Sequence, residues 1–136
     1  MVKTIAFDFD GVIHRYRGGW GDGSIYDSPD MKIVRTINSL LNMDNVSVII
    51  ISTRDPKQIK EWIDTNQLFS CDIIPDDVRF WDDADVVGIT NRKLPAYLYV
   101  DDRAFKYNSD SLEFLTTDMV MVRILQAASI DHSIVI

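Results

Sequence analysis

"KTIAFDFDG", residues 3–11, decides how the rest of this chain is read. Its first seven residues, "KTIAFDF", are largely apolar and predict a strand over 3–9. Two aspartates, Asp8 and Asp10, stand where that strand ends. Side chains alternate along an extended segment, so both carboxylates are expected on the same side. Carboxylates ~4 Å apart repel by about 4 kcal/mol at an effective dielectric of 20, so such a pair calls for a cation or belongs to a turn. The stretch after it, "DGVIHRYRGGWGDGSIYDS", holds five of the six glycines of the chain. It predicts a loop, with residues 11–28 as a flap over the strand end.

Working outward, Ser28, Pro29 and Asp30 form a helix start, with Ser28 as cap and Pro29 in the first position. Ile33, Val34, Ile37, Leu40 and Leu41 then give one apolar face over roughly 30–43. "VSVIII" (46–51) is almost continuously apolar and β-branched, the pattern of a strand buried on both faces. Asp55 and Pro56 open a second helix with Ile59, Trp62 and Ile63 inward. "CDII" (71–74) predicts a short third strand, and "AYLYV" (96–100) a fourth. "VRFWDDADVVGIT" (78–90) predicts a two-stranded ribbon around an acidic turn of Asp82, Asp83 and Asp85. Met119, Val122, Ile124, Leu125 and Ala128 predict a helix over 117–129, and "SIVI" (133–136) a last strand or tail. Alternating strands and helices predict an α/β three-layer sandwich around a mainly parallel, Rossmann-like sheet. The 136 residues are expected to form one domain with a minimal cap or none.

Composition excludes several function classes. The net charge of −7 argues against an extended nucleic-acid surface, although a local cation can still receive a phosphate. No apolar run approaches the ~18 residues of a membrane span, and "MVKTIAF" leads straight into carboxylates, unlike a secretion signal. The single cysteine, Cys71, fits a buried free thiol and a cytoplasmic location.

In open parallel sheets, ligands sit at the carboxyl ends of the strands. Asp8 and Asp10 follow the first strand, Ser52 the second and Asp101 with Asp102 the fourth, while Lys93 precedes the fourth. With the first strand between the second and fourth, these residues meet at one point. An all-oxygen carboxylate set (Asp8, Asp10, Asp101, Asp102) suits Mg²⁺, which commonly takes one or two carboxylates plus substrate phosphate. Asp8 is then placed to attack phosphorus and form an aspartyl-phosphate. Asp10 is placed to protonate the leaving oxygen and then to activate water. Ser52 can hydrogen-bond a phosphoryl oxygen, and Lys93 can stabilise transition-state charge.

"DFDGVIH", "IIISTR", "RKLP" and "YVDDR", in this order, resemble the four motifs of the haloacid dehalogenase superfamily of phosphotransferases. The resemblance spans roughly residues 3–108. It implies Asp8 as nucleophile and metal ligand, and Asp10 as acid and base with its carbonyl on the metal. It also implies metal contacts from Asp101 and Asp102, one direct and one through water. Ser52 matches the second motif better than Thr53, because "STR" aligns with a Thr-Gly-Arg form. "TNRKLPAYLYVDDR" is also similar to the ending of small, cap-less members from bacteria and their viruses. The phosphatase half of polynucleotide kinase-phosphatases is a more distant likeness.

The function expected is therefore a Mg²⁺-dependent phosphomonoesterase acting on a small phosphomonoester or nucleotide. A phosphatase of nucleic-acid 3′ or 5′ ends is the second choice. A receiver-like or catalytically idle binding module is the alternative of another class, although receivers carry their acidic pair first and the phosphoacceptor later. A metal-dependent nuclease would leave Lys93 and Ser52 without roles. Gly11, Thr53, Arg54, Trp20 and Tyr26 are candidates for substrate contact, the last two by stacking. Without a cap, the site either admits a large substrate or is closed by a second subunit. His14 is expected to be a satisfied loop histidine.

Overall fold

The computed structural model describes residues 2–103. The helix expected over 117–129 and the segment 133–136 lie outside the described residues, as does part of the expected single domain. Met1–Asp102 forms one compact unit. Its elements are β1 (Lys3–Asp8), α1 (Met31–Leu41), β2 (Val46–Ile51), α2 (Pro56–Thr65), β3 (Cys71–Ile73), β4 (Val87–Thr90) and β5 (Leu98–Val100). The strands form one sheet in the order β3-β4-β2-β1-β5, and every pairing is parallel. This is an α/β fold, with β1 between β2 and β5 as the strand-end argument requires.

Period-two alternation sorts the strand residues onto two faces. Phe7, Val48, Ile50, Val87 and Ile89 pack with Ile37 of α1 and with Ile59 and Ile63 of α2. Both described helices therefore lie on this face. Ala6 and Ile49 face the other way and pack with Ile74 and Leu94, flanked by half-buried Val78 and Trp81. Val46 to Ile50 of β2 are all buried, as their almost continuously apolar run leads one to expect. Each such Val or Ile side chain contributes ~1.5–3 kcal/mol by leaving water. A polar clasp ties residues 75–86 to the second face. The Thr4 and Ser47 hydroxyls are 2.9 Å apart and lie 3.2 and 2.8 Å from the Trp81 carbonyl.

Two local expectations are corrected. Residues 78–90 are not a two-stranded ribbon: only Val87–Thr90 is a strand, and it inserts in parallel between β2 and β3. The acidic turn is present, since the amide of Asp85 donates to Asp83 Oδ1 at 2.9 Å, but it leads into β4 rather than closing a hairpin. Helix α1 starts later than expected. Asp30, not Ser28, is its N-cap, accepting from the Lys32 amide at 3.0 Å. The cause is tertiary: Arg15 N–H donates to the Ser28 carbonyl and Asp30 N–H to the Ile13 carbonyl, which holds residues 28–30 extended against 13–15. Helix α2 is capped by Asp55 with Pro56 first, as expected.

Candidate active site

The register of β1 builds the site. Phe7 pairs with Val100 of β5, and Asp8 with Ile51 of β2. The next residue along β5 is Asp101, so it stands beside Asp8 at the carboxyl edge of the sheet. Asp8, Asp101 and Asp102 each offer a carboxylate oxygen, and the three oxygens lie within 4.8 Å of one another. The Phe9 amide donates to Asp8 Oδ1 at 2.8 Å and fixes that side chain. Even so, Asp8 is pushed up to about 7, first by burial and then by the charges of Asp101, Asp102 and Asp10. Among the described residues, Asp8 has no ion-pair partner.

Gly11 is part of this arrangement. Its φ is +86°, where a side chain is strained, and an added Cβ would lie 2.7 Å from Asp102 Cγ. The missing side chain lets the Asp102 carboxylate rest on the loop after β1. Gly11, a candidate for substrate contact, makes room for Asp102.

Asp10 does not join the cluster. The strand ends at Asp8, and the Phe9 carbonyl accepts from the amides of Val12, Ile13 and His14. The chain therefore turns at Phe9, and the extended geometry expected to align Asp8 with Asp10 is not present. Asp10 Oδ1 accepts from His14 Nδ1 at 2.8 Å, and both its oxygens accept from Arg54 Nε at 2.8 and 3.0 Å. His14 is fully buried. Its Nε2 accepts from the Asp27 amide at 3.0 Å, which places the ring proton on Nδ1, facing Asp10. His14 is thus the satisfied loop histidine that was expected.

Arg54 is more deeply placed than its sequence indicates, with only 2% of its surface exposed. Its Nη1 donates to the Gly23 carbonyl at 2.6 Å, and Gln58 Nε2 shares that carbonyl at 2.9 Å. The Trp20 ring lies over its guanidinium at 4.4 Å, an arrangement worth up to ~2 kcal/mol when desolvated. Its Nη2 is buried with no hydrogen-bond partner among the described residues. Residues 11–28 are therefore a tied-down loop rather than a free flap. Tyr26 is also held within it, its hydroxyl donating to the Gly19 carbonyl at 2.8 Å. Gln58, which fastens this loop from α2, carries no signal in the sequence.

Ser52 and Thr53 differ in placement. Ser52 is buried, its amide donating to the Thr90 carbonyl at 3.1 Å and its Oγ accepting from the Arg54 amide at 3.2 Å. Thr53 is exposed. Lys93 is exposed between β4 and β5, with its ammonium 5.0 Å from the Tyr99 ring centre. It forms no ion pair among the described residues. Of the six residues expected to meet, the carboxylates of Asp8, Asp101 and Asp102 are brought together, and the Asp10 carboxylate is turned to Arg54 and His14.

The donor set can be tested against a cation. Three carboxylates are hard oxygen ligands, which Mg²⁺ favours. A divalent ion held there would relieve their mutual repulsion and the raised proton affinity of Asp8. The residues therefore fit such an ion. Comparison with protein-family models, curated proteins and solved structures gives no match to this chain.

Proposed function

We propose that this chain is a Mg²⁺-dependent phosphohydrolase of the haloacid dehalogenase type, acting on phosphate monoesters through Asp8. The gathering of Asp8, Asp101 and Asp102 at adjacent parallel strand ends carries this reading. The order of the four motifs supports it, as does the α/β sheet, for which we propose the three-layer, Rossmann-like arrangement. Asp8, Asp101 and Asp102 would hold the ion. When bound, Mg²⁺ supplies positive charge that offsets the carboxylates and the phosphoryl oxygens.

The chain's own residues do the rest. The Asp8 carboxylate attacks phosphorus, and the bond to the leaving oxygen breaks as the aspartyl-phosphate forms. Water then attacks that phosphorus, releasing phosphate and restoring Asp8. Nucleophilic attack requires the anionic form of Asp8, whose pKa is raised to about 7 by burial and the neighbouring carboxylates and would be lowered again by a bound cation. The Phe9 amide holds Asp8 in one rotamer and leaves its other oxygen to react. Asp10 is our candidate for proton transfer to the leaving group. That role requires Arg54 Nε to move aside, because it engages both Asp10 oxygens. Ser52 and Lys93 would reach the phosphoryl group by a hydroxyl rotation and a side-chain swing respectively.

A small phosphomonoester or nucleotide is the proposed substrate, acted on in the cytoplasm. A nucleic-acid 3′ or 5′ end is the second. The deciding experiment is a screen of phosphate esters, from aryl phosphate to nucleotides and 3′- and 5′-phosphorylated oligonucleotides, with Mg²⁺ and with EDTA. Mg²⁺-dependent phosphate release that Asp8→Asn abolishes is expected. Absence of release from every ester overturns the enzyme and favours a binding module.

A further inference from the structure

A second charged feature lies outside the carboxylate cluster. Arg15, Arg17, Lys32 and Arg35, with Asp30 and Met31, line a groove of about 460 Å³, within the ~300–1,000 Å³ range of small-ligand sites. Four of the 14 Lys and Arg residues meet there, on a chain whose net charge is −7. Arg17 is held in place by Asp27, through bonds of 3.0 and 2.7 Å from Nε and Nη2. Arg15, Lys32 and Arg35 form no ion pair among the described residues. The acid in the lining, Asp30, accepts from the Lys32 amide as helix cap and forms no ion pair with them among the described residues.

The acid at the start of α1 is its N-cap Asp30, no residue of the first turn is acidic, and Lys32 sits at the positive end. Lys32 and Arg35 are three apart, so two like charges share one face of the helix. Departures from local helix rules are expected where a residue serves something other than the helix. Arg15, Lys32 and Arg35 place positive side chains around the Asp30-capped end of α1.

We infer that this groove binds a ligand with clustered phosphates, such as a nucleoside diphosphate or a short phosphodiester backbone. Arginine predominates over lysine in the lining, and its planar fork pairs with phosphate oxygens two at a time. The inference does not rest on the phosphohydrolase reading, since no lining residue belongs to the Asp8 cluster.

Calorimetric titration at low salt with EDTA tests it, using pyrophosphate, ADP and 5′-phosphorylated tetrathymidylate as probes and tetraglutamate as charge control. Pyrophosphate is expected to bind wild type. The double variant Lys32→Gln, Arg35→Gln should weaken binding at least tenfold with a melting temperature no lower than wild type. The ranking of ADP against the oligonucleotide tells which source of phosphates fits. Asp8→Asn should bind as wild type does; loss of binding there would move the ligand to the carboxylate cluster and overturn the groove. No binding of any phosphate probe, full binding by the double variant, or equal binding of tetraglutamate would also overturn it.

Discussion

Asp8 and Asp10 are two residues apart and live in opposite electrostatic surroundings. Asp10 is balanced within the fold, by the guanidinium of Arg54 and the Nδ1–H of His14. Asp8 is left among like charges, with Asp101 and Asp102 beside it. The first arrangement stabilises the protein; the second costs stability that a cation from outside would return. One carboxylate fastens a loop, and the other is free for chemistry. The contrast separates residues that hold the site from those that would act in it.

Removing each carboxylate in turn should break the comparison most sharply. Asp8→Asn is expected to lower hydrolysis of an aryl phosphate by at least ~10⁴-fold, the scale of losing a nucleophile. The metal-free variant should melt no lower than wild type, because a repelled carboxylate is gone. Steady-state assays and thermal melts measure the two effects. Asp10→Asn should loosen residues 11–28 as well as slow turnover, which hydrogen exchange on that loop can detect.

Arg54→Ala attacks the balanced side. It leaves Asp10 without its guanidinium and Gly23 without a donor, so a loss of ~3 kcal/mol is expected, at the lower edge for broken buried pairs. Urea unfolding should read it, and Arg54→Lys should recover only part, because one ammonium cannot serve both partners. Gly11→Ala should cost ~1–2 kcal/mol from its left-handed backbone and displace Asp102, weakening the response to Mg²⁺.

A smaller effect is a pH dependence confined to Asp8. Its proton affinity is raised on folding, from 3.8 to about 7. The folded metal-free protein therefore binds more protons than the unfolded chain in that window, and stability falls as pH rises through it. Asp8→Asn should flatten that slope in denaturant melts across pH 4 to 7.

Much of the sheet was legible because burial on both faces leaves a direct mark, as in "VSVIII". The placement of Asp101 was legible for the same reason, since the strand before it ends on "DD". The pairing of β4 was not: residues 78–90 were expected as a ribbon, and Val87–Thr90 instead lies in parallel between β2 and β3. At Gly88 an added Cβ would meet Ile74 at 2.7 Å and Trp81 at 2.8 Å. That glycine answers to side chains packed over the sheet, a tertiary demand with no local signature. The position of Asp10 was hidden similarly, because period-two alternation holds only while the strand continues. Arg54 looked like a surface or substrate residue because nothing local announces that a loop residue, Gly23, will cap it.

Asp8, Asp101 and Asp102 would together form a divalent-cation site. Mg²⁺ titration of the melting temperature, at pH 8 and at pH 5.5, tests it directly. At pH 8 a rise equivalent to ~2.7 kcal/mol is expected once Mg²⁺ reaches a hundred times its dissociation constant. At pH 5.5, below the pKa of about 7 for Asp8, a proton competes and the rise should shrink. It should vanish in Asp8→Asn. An unchanged melting temperature at millimolar Mg²⁺ and pH 8, or an equal rise in Asp8→Asn, would contradict the account.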